Sequence, residues 1–133
     1  MDLTKLIKGT NHCFIVDELG IASTFSLMKS CLTTNLNHHV TIIYYSNDNH
    51  FVFKKELVVL ERLFPLQFIV FYEMISESTE HLNTDNLEAL LNSNVMDDLK
   101  FNVSGDEHFN KQICEKLHFL GINKIDINEI LFI

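Results

Sequence analysis

The stretch FIVDELGIASTFSLMK, Phe14–Lys29, decides the fold. A strand-type apolar run ends at Val16, a turn with a single glycine (Gly20) follows, and a helix-type pattern begins. In α/β proteins this first strand-to-helix turn is where nucleotide phosphates rest on unpaired helix N–H groups. Two positions where such turns favour glycine carry carboxylates here, Asp17 and Glu18. The architecture points to a nucleotide and the local charge points away from one.

Outward from this stretch, short apolar runs alternate with amphipathic ones. Cys13–Val16 reads as the first strand. Gly20–Asn35 reads as a helix with Ile21, Phe25, Met28 and Leu32 inward. Val40–Tyr45 (VTIIYY) is continuously apolar, the mark of a strand buried on both faces. Phe51–Phe64 reads as a helix with Phe53, Leu57, Leu60 and Phe64 inward, stopped by Pro65. Gln67–Tyr72 is a third strand, and Asn83–Leu91 a short helix with Asn83 as N-cap. Lys100–Val103 is a fourth strand. Asp106–Leu120 is a helix with Phe109, Ile113 and Leu117 inward and Gly121 at its C-terminus. Lys124–Ile133 holds the last strand. The alternation implies βαβ crossovers and a parallel sheet with helices on both faces.

The chain has 133 residues, enough for one domain with one sizeable core. No run approaches the length of a membrane span. The N-terminus, MDLTKLIKGT, lacks a signal-peptide core. Three cysteines, Cys13, Cys31 and Cys114, are far apart and suggest a reducing, cytoplasmic setting. The seven histidines are scattered, with no zinc-like spacing, so no metal site is expected. The net charge of −8 argues against nucleic acid, whose binding relies on neutralising phosphates.

Ligands of such sheets sit beyond the carboxyl ends of the strands. That rim comprises Asp17–Gly20, Ser46–His50, Glu73–Ser76 and Ser104–Glu107. In the first turn Gly20 lets a ligand approach the backbone, and Ser23 and Thr24 are placed to donate to a phosphate. The alternative is that Gly20 serves only a tight turn. A phosphate about 5 Å from Asp17 or Glu18 would meet roughly 3 kcal/mol of repulsion at an effective dielectric near 20. Either the carboxylates turn aside or binding is weak. The second segment is Tyr45-Ser46-Asn47-Asp48, with an acidic residue following strand two. Asp48 suits the ribose hydroxyls and would repel a 2′-phosphate, favouring NAD over NADP. The SNDN run is also turn-forming by itself. Ser104 and Gly105 form the third segment, with no activated nucleophile or base beside them, so no catalytic residue is assigned.

Acidic residues after strand one also invite comparison with phosphoreceiver domains. That family needs an aspartate after strand three, where this chain has Tyr72-Glu73-Met74, and a lysine after the last strand, which is absent.

The order of the segments and the tail resembles the pyridine-nucleotide-binding domain of ferredoxin reductase-like flavoenzymes. The family's G-G-x-G-I-x-P corresponds to Asp17-Glu18-Leu19-Gly20-Ile21-Ala22-Ser23. Its Y-G-N-R turn and following helix start correspond to Tyr45-Ser46-Asn47-Asp48 and Val52–Leu57. Its G-R-[IV] corresponds to Glu80-His81-Leu82, and its C-G-P to Ser104-Gly105-Asp106. Its closing L-x-x-L-G-[IV]…E-x-F corresponds to Leu117–Ile122 and Glu129-Ile130-Leu131. This resemblance implies a three-layer sandwich around a five-stranded parallel sheet, order 3-2-1-4-5, filling residues 1–133 without the family's flavin-binding barrel. It implies that Gly20, Ile21, Ala22 and Ser23 approach the pyrophosphate, that Ser46, Asn47 and Asp48 flank the adenosine, and that Ser104 and Gly105 lie near the nicotinamide.

Two functions follow as expectations. One is the NAD(P)H-binding domain of a flavin-dependent oxidoreductase, presenting nicotinamide to FAD or FMN on a partner domain or subunit and inactive alone. NAD(H) is then the cofactor. The other is a non-catalytic interaction module whose nucleotide site has decayed and whose acidic rim suits a basic partner.

Overall fold

A computed structural model describes residues 9–34, 37–75, 82–93 and 98–130. Five strands form one sheet: β1 (Thr10–Val16), β2 (His38–Ser46), β3 (Phe68–Met74), β4 (Asp98–Ser104) and β5 (Ile127–Ile130). Their order is β3-β2-β1-β4-β5, and every neighbouring pair is parallel. The helices are α1 (Glu18–Thr34), α2 (Lys54–Leu63), α3 (Asp85–Ser93) and α4 (Glu107–Phe119). The α/β class, strand order and double-faced sheet are those expected from the sequence.

Alternation along the central strands sends side chains to two cores. Phe14, Val16, Ile42 and Tyr44 join Ile21 and Met28 of α1 and Leu57 of α2 on one face. Cys13, Ile15, Ile43 and Tyr45 join Leu87 of α3 and Ile113 and Leu117 of α4 on the other. Both faces are buried along 13–16 of β1 and 42–45 of β2, which is why these runs are apolar without a polar beat. Cys13 is fully buried, and burial pushes its thiol up, so it packs as a small hydrophobe.

Several boundaries move for identifiable reasons. β1 starts at Thr10, earlier than its apolar run, because Asn11 is buried and its amide oxygen accepts from Thr41 Oγ1 at 3.1 Å. The helix after β2 begins at Lys54 rather than Phe51. Phe51 instead stacks edge-on against Tyr44 and Tyr72, with ring centroids 5.0 and 4.9 Å away. α3 begins at Asp85, so Thr84 rather than Asn83 directly precedes it, its carbonyl accepting from Glu88 N–H at 3.0 Å, while Asn83 Oδ1 accepts from the Asp85 N–H at 2.9 Å. Gly121 has φ +90° and ends α4 in a Schellman turn: Ile122 N–H donates to Leu117 at 3.0 Å and Gly121 N–H to His118 at 3.0 Å. A 3₁₀ turn, Lys124–Asp126, takes the start of the expected last strand. Residues 131–133 lie outside the described residues.

The three cysteines are unpaired. Among the described residues no group of three or more His, Cys, Asp or Glu side chains forms a metal-binding set, and no helix is long and apolar enough to cross a membrane.

At the amino ends of β1 and β2, His12 Nε2 lies 3.2 Å from His38 Nδ1. Burial first, then the charges of His38 and Lys100, hold His12 below its ordinary value of 6.5. Lys100 is itself paired with Asp126 at 3.1 Å. The folded chain therefore resists protonation at His12, and the unfolded chain takes the proton first. This contribution to stability is present above pH 6.5 and is lost as pH falls below that value. Urea midpoints of the wild type and His12→Gln should diverge as pH drops from about 7.5 to about 5.5, with the wild type losing more. Parallel curves would show that His12 does not carry the effect.

Candidate functional site

The strands end in register, Val16 beside Tyr44 and Ser104, and Ser104 beside Ile130. The turns leaving β1, β2 and β4 therefore meet on one rim.

At its centre is Asp17, 8% exposed. Its Oδ1 accepts from the N–H groups of Leu19 at 3.0 Å and Gly20 at 2.9 Å. Its carbonyl accepts from Ile21 N–H at 2.9 Å, the first turn of α1. Asp17 is thus the N-cap of α1, and the helix starts at Glu18, ahead of the expected Gly20. Its second oxygen, Oδ2, crosses to the turn after β4 and accepts from Asp106 N–H at 2.9 Å. Asp106 in turn caps α4, its Oδ1 accepting from Phe109 N–H at 2.8 Å. One carboxylate thereby joins the starts of two helices.

The early helix start reassigns the hydroxyls read as phosphate donors. Ser23 and Thr24 fall past the first turn and donate to the Gly20 carbonyl at 3.1 and 2.7 Å. Ile21 is fully buried in the core, while Ala22 and Ser23 are exposed. Gly20 is needed for packing: a Cβ there would lie 1.7 Å from the Ser104 carbonyl oxygen. Gly105 is likewise enclosed, a Cβ there lying 2.4 Å from Phe109 Cδ1 and 2.7 Å from the Asp17 carboxylate. Ser104 is 0% exposed, its Oγ donating to the Ile130 carbonyl at 3.3 Å and lying 3.3 Å from Ser23 Oγ.

Glu18 closes the neighbouring part of the rim. Its carboxylate accepts from the Tyr44 hydroxyl and from Val52 N–H, the latter at 3.2 Å. Burial and the Glu18 partner both push the Tyr44 hydroxyl up, so it remains a donor. This link between α1 and the segment after β2 has no local sequence signal, because Glu18 and Tyr44 meet only once the sheet is formed.

The turn after β2 is self-contained. Asp48 Oδ1 accepts from Ser46 Oγ at 2.9 Å and from His50 N–H at 3.0 Å, and Asn49 adopts φ 58°. Ser46 is buried, whereas Asn47 and Asp48 are exposed. The Ser46 hydroxyl and His50 N–H hold the Asp48 carboxyl below its usual range. At the end of β3, burial and then Asp85 push Glu73 up, while Asn86 bonds to it and offsets part of the effect. Of the Glu80-His81-Leu82 segment, Glu80 and His81 lie outside the described residues, and Leu82 packs on the second core. Leu131 of the closing motif also lies outside them.

Comparison with solved structures finds the same fold. The CS-b5R domains of human Ncb5or in the NAD+ form match with TM-score 0.78 at 16% identity, covering 98% of this chain and 39% of that one. The flavohem-like FAD/NAD binding domain of nitric oxide dioxygenase from Vibrio cholerae O1 biovar El Tor matches with TM-score 0.68 at 16% identity, covering 91% and 50%. Ferredoxin-NADP+ reductase from Plasmodium falciparum matches with TM-score 0.67 at 15% identity, covering 98% and 54%. The chain thus has a ferredoxin reductase-like nucleotide-domain fold and spans 39–54% of the length of these neighbours. No family model matches the sequence, and no curated protein does.

The N–H groups of Leu19, Gly20 and Asp106 are taken by Asp17, and the space beside Gly105 is filled by the same carboxylate and Phe109. A further anion would meet two carboxylates from the chain itself.

Two glycine substitutions test the packing roles. Gly20→Ala drives a Cβ into backbone at 1.7 Å and should cost about 3 kcal/mol or more in urea unfolding. Gly121→Ala meets no atom within 4 Å and strains only its φ of +90°, so about 1 kcal/mol is expected. Equal losses would mean that the α1–β4 contact at Gly20 is not tight.

Proposed function

We propose that the chain is a non-catalytic interaction module on a reductase nucleotide-domain fold, holding a protein partner at the rim where related folds hold a dinucleotide. The observation that carries this reading is the closure of the rim by its own carboxylates. Asp17 takes N–H groups from the turns after β1 and β4, and Glu18 takes the Tyr44 hydroxyl and the Val52 N–H. Exposed Asp48, Asp106 and Glu107 add negative charge around the closed site. A partner with a basic face suits it, held by charge complementarity rather than by a buried cofactor. A flavin-binding domain or subunit is the first candidate, since the Vibrio cholerae neighbour is described as an FAD/NAD binding domain.

A second reading keeps the cofactor: an NAD(P)H-binding domain that orients nicotinamide toward a flavin held elsewhere. Asp48 favours it, standing exposed and held ionised at the end of β2, where such folds bind the adenosine ribose. In that reading NAD is preferred to NADP, and the flavin supplies the redox chemistry.

Isothermal titration separates the two. The module reading expects no heat from NADH or NADPH at roughly millimolar nucleotide, with or without a flavoprotein partner. Saturable binding of NADH to the wild type at micromolar concentration would overturn it in favour of the second.

A further inference from the structure

The face of the sheet that packs against α1 continues past its apolar core to two histidines. His12 precedes Phe14 by two residues on β1, and His38 precedes Val40 by two on β2, so both project to the side of Phe14 and Val40. The register sets His12 beside Val40 and therefore diagonal to His38. The two histidines are 26 positions apart in the chain, a separation with no metal-ligand signature, and only the pairing of β1 with β2 brings them together. We infer that His12 and His38 form a site for a divalent ion of the zinc type, held by His12 Nε2 and His38 Nδ1 at the amino end of the sheet.

The two rings are arranged as imidazoles on one ion would be. Their facing nitrogens lie 3.2 Å apart and their centroids 5.0 Å apart. Rings aimed straight at each other along a hydrogen bond of that length would hold their centroids about 5.5 Å apart. The shorter distance bends both rings toward a common point. For equal bends that point lies about 2 Å beyond each nitrogen, the zinc–imidazole distance, and the angle there is roughly 105°, close to tetrahedral. Both histidines are half-buried. Burial, His38 and Lys100 hold His12 below its ordinary value of 6.5, so its ring is neutral at neutral pH, as a metal ligand must be. Lys100 is the opposing charge nearby, and Asp126 pairs with it at 3.1 Å. A cavity of about 300 Å³ opens beside His12, lined also by Cys31, Lys100, Asn102 and Asp126. It gives an ion a way in and leaves room for water at the coordination positions that the two rings do not fill.

The experiment uses the full chain, stripped with a chelator, titrated with zinc chloride by calorimetry and melted with and without zinc. One ion per chain should bind, and zinc at about a hundred times its dissociation constant should raise the melting midpoint by about 4 °C or more. Magnesium, which takes oxygen ligands, should leave the midpoint unmoved. His12→Gln and His38→Gln should each weaken zinc binding by about tenfold or more. Either variant suffices where the other fails to fold. His39→Gln alters the next residue of β2, on the opposite face of the sheet, and should bind zinc as the wild type does. Zinc binding that survives the substitutions at His12 and His38 would belong to other histidines or to the acidic surface and would overturn the site. A wild type that zinc does not stabilise would overturn it as well. Neither result bears on the rim, which lies at the carboxyl ends of the strands.

Discussion

A parallel sheet delivers its helices' N-termini to one edge, and each brings N–H groups that nothing within the helix can satisfy. In this chain the Asp17 carboxylate answers that constraint for α1 and extends to α4. Much of the rim depends on it. It sets the helix start at Glu18, which carries Ser23 and Thr24 beyond the first turn and turns their hydroxyls back onto the Gly20 carbonyl. It places Glu18 in position to reach Tyr44 and Val52. It also requires glycine at position 105, where any side chain would collide with the carboxylate.

The sheet was legible in the sequence because its determinants are local. VTIIYY can be apolar throughout only if both faces are covered, and the two cores on either side of β2 show that they are. The inward residues of α4, Phe109, Ile113 and Leu117, follow from period alone, as does the stop at Gly121. What period cannot show is a polar group buried against a partner far along the chain. Asn11 with Thr41, and Glu18 with Tyr44, are such pairs, and they account for the early start of β1 and the closure of the rim. Asp17 lies between these cases. An aspartate directly before an apolar helical pattern is an N-cap signal, but the same turn is where such folds bind nucleotide phosphates, and the residue types alone do not separate the two roles.

The electrostatic argument and the geometric one bear on the same atoms in different ways. As bare charges, Asp17 and Glu18 would only repel a phosphate. In the fold they are hydrogen-bonded, and Asp17 is removed from water, so each has internal work that a ligand would have to undo. Binding there would therefore cost an exchange of partners in addition to repulsion. Asp48 differs: it is exposed, its bonds lie within its own turn, and it stays available to whatever meets the rim.

The pattern of what this chain shares with the ferredoxin reductase-like motifs now has a physical reading. The shared positions are the ones that pack. Gly20 lets α1 lie against the Ser104 carbonyl, Ile21 fills the core, Gly105 lets β4 pass beneath Phe109 and Asp17, and Gly121 reverses the chain after α4. Each is required by the fold whether or not a ligand is present. The departures are Asp17 and Glu18 for glycines at the start of α1, Ser23 for a proline within it, and Ser104 for a cysteine at the end of β4. A fold can therefore keep half of a nucleotide motif for reasons of packing alone, and for that reason retained glycines in such a turn are evidence of architecture before they are evidence of a ligand.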